Sequence, residues 1–136
     1  VKLLLASRNA GKLAELARIV AAAELPDLQV LGLRDVGEYP EAPETGATFA
    51  ENALAKARDA VAATGLAAVA DDSGIAVDAL NGMPGVLSAR WSGGHGDDEG
   101  NLRLVLAQLG DVPDERRGAQ FVCAAALVTP DGAEIV

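Results

Sequence analysis

Lys2-Leu3-Leu4-Leu5-Ala6-Ser7-Arg8-Asn9-Ala10-Gly11-Lys12 runs from a short apolar strand directly into an amphipathic helix, with no spacer between them. A helix start exposes backbone N–H groups that no earlier carbonyl can satisfy, and the helix dipole adds partial positive charge there. A phosphate answers both needs. Ser7 and Asn9 add side-chain donors, Gly11 lets a ligand approach the backbone, and Lys12 brings a full cation. The alternative is an ordinary strand–helix turn in which Ser7 or Asn9 only caps the helix. Taken alone, the segment leaves the two readings level. The common nucleotide loop Gly-x-x-x-x-Gly-Lys-Ser/Thr is excluded, because its first glycine is missing and Leu13 follows Lys12 where a hydroxyl should stand.

Outward from this turn the chain alternates helices and strands, the pattern of an α/β protein. Leu13, Leu16, Ala17, Val20 and Ala23 recur at helical spacing and predict a helix from about Ala10 to Glu24. Leu28 to Gly32 reads as a second strand, and Leu33 to Ala47, with two prolines, two glycines and four acids, as a long exposed loop. Thr48-Phe49-Ala50-Glu51 has the form of a capping box, opening a second helix that ends at Gly65. Ala67 to Ala70 is a buried strand ending in Asp71-Asp72-Ser73-Gly74. Ile75 to Leu80 is a strand or a short helix, Asn81 to Gly85 a turn cluster, and Gly93 to Gly100 a loop. A third helix covers Leu102 to Leu109, starting near Asp97 or Asp98, and Ala119 to Thr129 reads as a central strand. Pro130-Asp131-Gly132 turns the chain back into Glu134-Ile135-Val136 as a hairpin. So short a last strand leaves a sheet edge open, and the natural protein is expected to be longer than residues 1–136, which read as one truncated domain.

At 136 residues the chain has room for one core, burying roughly two thirds of its unfolded surface. Half of it is hydrophobic, yet the only aromatics are Tyr39, Phe49, Trp91 and Phe121, so the core must be built from Ala, Val and Leu. A single cysteine, Cys123, excludes an internal disulfide framework and fits a reducing compartment; inside the apolar run Phe121 to Val128 it is expected to be buried filler. No segment is long and apolar enough for a bilayer and no signal peptide precedes Val1, so a soluble cytoplasmic protein is expected. A net charge of −9 points away from nucleic-acid polymers, but not from a small phosphorylated ligand helped by a metal ion.

Asp71-Asp72-Ser73-Gly74 is the strongest chemical signal. Adjacent carboxylates on an extended backbone point to opposite sides, so one can face a ligand while the other orients its surroundings. Oxygen donors without histidine suit Mg²⁺, which takes one or two carboxylates and completes its shell with water and substrate phosphates. Hydrolysis at phosphorus, with Lys12 offsetting developing charge, is the chemistry such a set supports. The competing reading is a polar turn in which Asp71 and Ser73 cap backbone groups. Glu44 could complete a metal site or be a solvated loop charge. Lys56 lies one turn beyond Asn52, so both could face one ligand, or Lys56 could be an exposed surface lysine. His95, alone in a glycine loop, reads as solvent-facing, and Trp91 as packing at an interface or beside a base.

Four motifs occur in order: Ser7-x-Asn9-x-x-Lys12 with Glu15; Glu44-Thr45-Gly46-x-Thr48-Phe49-x-Glu51-Asn52-Ala53; Ala70-Asp71-Asp72-Ser73-Gly74; and Pro84-Gly85-Val86-x-Ser88-Ala89-Arg90. In order and spacing they resemble the inosine/xanthosine triphosphate pyrophosphatases, house-cleaning enzymes that hydrolyse non-standard purine nucleoside triphosphates. The Ser-x-Ser-Pro-Arg-Arg opening of the sister Maf-like group is not present. The resemblance implies a long central mixed sheet flanked by helices, two lobes with an active-site cleft, and commonly a homodimer. It implies cleavage of dITP, ITP or XTP to the monophosphate and pyrophosphate with Mg²⁺. By position, Ser7, Arg8, Asn9, Ala10, Gly11 and Lys12 would hold the triphosphate, and Ser73 would contact substrate. Asp72 would be general base and metal ligand, with Asp71, Lys56 and Glu44 supporting the metal–phosphate cluster. Glu44 is the second candidate metal ligand and Asp71 the second candidate catalytic carboxylate. The family's Phe-Gly-Tyr-Asp-Pro-like and Ser-His-Arg segments, used in holding the purine, lie outside these residues. The alternative function is a non-catalytic nucleotide- or metal-binding module.

Overall fold

Strand β3, Ala67–Val77, is the middle of a five-stranded sheet of order β2-β1-β3-β4-β5 in a computed structural model that describes Val1–Val136. β1 (Lys2–Leu5) runs parallel to β2 (Gln29–Leu31), with Leu3 opposite Val30. It also runs parallel to β3, with Leu4 opposite Ala68. Parallel neighbours need a crossover: α1 (Ala10–Ala22) links β1 to β2, and α2 (Phe49–Thr64) precedes β3. α3 (Asp98–Gln108) precedes β4 (Ala119–Val128), which pairs antiparallel with β5 (Glu134–Ile135), making the sheet mixed. The expected α/β class and the order of elements hold. No helix is long and apolar enough to cross a membrane.

The chain divides into two compact units, Val1–Thr45 with Ala50–Asp71 and Ala124–Val136, and Gly46–Phe49 with Asp72–Cys123. The first is built on alanine. Ala53, Ala57 and Ala60 form a fully buried stripe along α2. Ala53 and Ala57 meet Ala70, Ala126 and Val128, while Ala60 meets Leu4 and Ala68. Methyl side chains let a helix lie close on a sheet, which is how a chain poor in aromatics still closes its core. The second unit packs Val77, Val105 and Leu109 with Ile75, Leu80, Val112 and Trp91. Trp91 is therefore core packing, its indole N–H donating to Gln108 Oε1 at 3.0 Å.

Three expectations need correction. Asp71-Asp72-Ser73-Gly74 does not end a strand: β3 continues through it to Val77, and only Asp78–Leu80 forms a short 3-10 turn. Charged residues and glycine are poor strand formers, but here tertiary pairing overrides their preference. Cys123 is exposed. On β4 burial alternates, with Ala126 and Val128 buried while Phe121 on the opposite face is 89% exposed. Cys123 shares the face of Phe121, because residues two apart point the same way. Finally, β4 is interior but not the middle strand, and β5 accompanies it only at Leu127 and Val128.

Candidate functional site

The turn after β1 is built by side-chain oxygens. Ser7 Oγ accepts the Asn9 N–H at 3.1 Å, and Asn9 Oδ1 accepts the N–H groups of Gly11 at 2.9 Å and Lys12 at 3.3 Å. Asn9 is thus the N-cap of α1, and the capping reading of this segment is correct as far as Asn9 goes. Several of the amides that a phosphate could have used already have partners, so the attraction for an anion must come from cations. The turn lies at the carboxyl end of β1, whose two parallel neighbours are reached in opposite directions. In open α/β sheets that switch point is where ligands bind.

Two lysines converge there on one residue of β3. Lys12 Nζ donates to Asp71 Oδ2 at 2.6 Å, and Lys56 Nζ donates to the Asp71 carbonyl at 3.2 Å. Lys56 also pairs with Glu44 Oε1 at 2.6 Å. Lys12, Asp71, Lys56 and Glu44 form one chain of part-buried charges, with side chains 18–38% exposed. Part-burial matters because charges shielded from bulk water act on a ligand more strongly than surface ones. Lys56 is half-buried and engaged rather than a free surface lysine, and Asn52, one turn before it, is only 1% exposed. Arg8 sits further out, paired with Glu41 at 3.1 Å and largely exposed. Ala10 and Gly11 are exposed in the first turn of α1.

In the second unit, Asp72 follows the two-residue period of β3. Ala68, Ala70 and Asp72 are buried, whereas Asp71 is turned to the opposite side, toward Lys12. The adjacent carboxylates are thus separated as expected. Asp72 is 7% exposed, unusual for a carboxylate, and Ser73 is exposed. Ser88, which the sequence places in the fourth motif without a role of its own, bonds two backbone groups. Its Oγ accepts the Ile75 N–H at 3.0 Å and donates to the Gly85 carbonyl at 2.6 Å. Nothing local in the sequence signals that bond, since it joins residues 13 apart. His95 is exposed, as expected.

No three His, Cys, Asp or Glu side chains are gathered so that they could hold a metal ion by themselves. The carboxylates present suit a hard cation that takes few protein ligands and fills its shell from substrate phosphates and water.

The Ham1 family model matches residues 3–136. The chain belongs to the Ham1 family. Among similar proteins, the dITP/XTP pyrophosphatase of Nocardia farcinica is 71% identical over 135 residues, and that of Mycobacterium tuberculosis is 66% identical over 135 residues. Each alignment takes in 99% of this chain and 66% of the relative, so this Ham1-family chain spans just under two thirds of those relatives' length. The crystal structure of the nucleoside-triphosphatase / dITP/XTP pyrophosphatase of Mycobacterium abscessus superposes with a TM-score of 0.89 at 64% identity, over 99% of this chain and 68% of that one. The Ham1 protein of Staphylococcus aureus gives 0.86 at 38% identity, over 99% and 67%. The resemblance read from the four motifs therefore agrees with family, relatives and fold.

Proposed function

We propose that this chain carries a nucleoside-triphosphate pyrophosphatase site, acting on non-standard purine nucleotides such as dITP, ITP and XTP and clearing them from the nucleotide pool. The names of the similar proteins support the substrate class. The observation that carries the reading is the linked chain Lys12–Asp71–Lys56–Glu44, whose Asp71 is followed directly in sequence by the buried Asp72. Two cations held by carboxylates in the free protein are preorganised donors for a polyanion, needing only to exchange one set of oxygens for another. The turn from Ser7 to Lys12 would hold the phosphates, with Ser7, Asn9 and Lys12 as polar contacts, Arg8 as an outer cation, and Ala10 and Gly11 leaving the approach open. Lys56 would serve a second phosphate, and Ser73 would contact substrate.

Asp72 would act as general base. A water attacks phosphorus at the α–β anhydride, its proton goes to the Asp72 carboxylate, and the bond to the bridging oxygen breaks. The products are the nucleoside monophosphate and pyrophosphate. Asp71 would keep Lys12 aimed at the developing charge. Family membership suggests a divalent metal cofactor. We take it to be Mg²⁺, held by Asp72 and Glu44 with substrate phosphates, where it would neutralise phosphate charge. On this reading residues 1–136 act as one pyrophosphatase domain, in the cytoplasm, as part of a homodimer, with no nucleic-acid polymer as partner.

The test is incubation with ITP and Mg²⁺, with pyrophosphate and phosphate measured separately. Pyrophosphate release, abolished by a chelator, is expected. Nucleotide binding without hydrolysis would favour a non-catalytic binding module, and release of phosphate alone would overturn the proposed bond.

A further inference from the structure

We propose that Ser88 is a positioning residue that holds the Asp72–Ser73 stretch of β3 in its working register, an inference that rests on the pyrophosphatase reading. A serine hydroxyl can accept one hydrogen bond while donating another. Ser88 Oγ does both, taking the Ile75 N–H at 3.0 Å and giving its proton to the Gly85 carbonyl at 2.6 Å. One oxygen thereby fastens the strand to the 3-10 turn Gly85–Arg90. The strand comes unusually close at Gly74: a Cβ there would lie 2.4 Å from the Gly85 carbonyl oxygen, 2.5 Å from Ser88 Oγ and 3.1 Å from Phe49 Cε1. Gly74 is required by this approach rather than by a turn, since its backbone is part of β3.

The bond lands three residues after Asp72 and two after Ser73, all within one compact unit. Asp72 is buried and cannot re-aim itself by swinging through solvent, so its direction depends on the path of its own strand. Without the Ser88 hydroxyl, the Ile75 N–H and the Gly85 carbonyl both lose a part-buried partner, and the strand is free to shift where geometry matters most. Lys12 and Lys56 are fixed by other contacts, to Asp71 and Glu44, which do not involve this turn. The inference thus separates two properties: proton transfer at Asp72 depends on Ser88, whereas phosphate binding at the lysines does not.

The experiment compares the wild-type chain with Ser88→Ala and Ser88→Thr. Turnover of dITP, affinity for inorganic tripolyphosphate, and exchange of the Ile75 amide are measured on each. Ser88→Ala should lower kcat at least tenfold, leave the metal-free tripolyphosphate Kd within about twofold, and speed Ile75 exchange about tenfold. Ser88→Thr, which keeps the hydroxyl, should restore kcat and Ile75 protection. Wild-type turnover in Ser88→Ala would overturn the proposal, as would parallel losses of kcat and tripolyphosphate affinity. If Ser88→Ala does not fold, Ser88→Cys, with its weaker and longer bonds, carries the same comparison. A wild-type chain that releases no pyrophosphate would instead overturn the pyrophosphatase reading and the catalytic part of this one, and Ile75 exchange would still decide the bridge.

Discussion

Asp72 and Lys12 divide the proposed chemistry at the scale of single residues. Asp72→Asn keeps the shape of a buried side chain but removes the negative charge that would accept a proton and bind a cation. Turnover should vanish while the circular dichroism spectrum and melting temperature stay near wild type; retained turnover would end the assignment. Lys12→Ala should weaken triphosphate binding far more than nucleoside binding, because the lost partner is a phosphate. A charge-assisted contact contributes about 1.5–3 kcal/mol, or about one to two decades in Kd. Two opposing effects bear on the value within that range. Lys12 already pairs with Asp71 at 2.6 Å, so phosphate gains only the difference between two partners, but removing the lysine leaves the Asp71 carboxylate facing the incoming anion. Titration with ITP and with inosine checks this, and equal losses for both would make Lys12 structural. Asp71 shows how far one residue could be read in advance. Strand geometry alone placed it opposite Asp72, but its partners lie 59 residues away at Lys12 and 15 away at Lys56.

Among the elements, those with local signals were legible. Asn9 starts α1, Gly65 at φ +70° follows α2, and Asp97 caps α3, each by a mechanism confined to a few residues. The β4–β5 hairpin is another such element, and its two turn-side carboxyls make it sensitive to acid. The Thr129 hydroxyl and then the Ala133 N–H hold the Asp131 carboxyl below its ordinary range. The Arg58 guanidinium, bonded to Glu134 at 2.6 and 2.7 Å, does the same for Glu134 and joins β5 to α2. A carboxyl whose folded pKa is depressed stabilises the fold above its unfolded pKa, and that contribution is lost as pH falls through the folded value. Both groups have this sign, so the hairpin should loosen as pH drops below about 4. Amide shifts of Ala133 and Ile135, followed by NMR down the acid limb, should report it. Arg58→Ala should remove the Glu134 part at Ile135 and leave the Asp131 part at Ala133; unchanged titration at both would dismiss the tie. β3 is the element that misled. Asp-Asp-Ser-Gly has the composition of a turn, yet it is extended within β3.

For the molecule as a whole, the proposed site would separate phosphate binding from base selection. The cations and carboxylates described here see the same charges in ITP and in ATP, so they supply no discrimination between a 6-oxo and a 6-amino purine. Rejecting ATP would require a buried group left unpaired by the amino substituent. The 136-residue chain is therefore expected to bind ITP and ATP within a few-fold of each other, as measured by competition titration. A strong preference for ITP would mean that residues among these 136 read the base. The acidic balance, −9 overall, would make that binding dependent on the local lysines and, on the proposed reading, on a divalent ion rather than on a general positive field. The sequence by itself determined the α/β alternation, the opposed directions of Asp71 and Asp72, and the hairpin at Asp131, because periodicity and turn chemistry act over a few residues. Tertiary structure alone decided that β3 runs on through Gly74, that Lys12 and Lys56 meet at Asp71, that Ser88 bonds Ile75, and that Cys123 faces outward. Those outcomes depend on which strand lies beside which, and on what covers each face of the sheet, neither of which any short stretch of sequence contains.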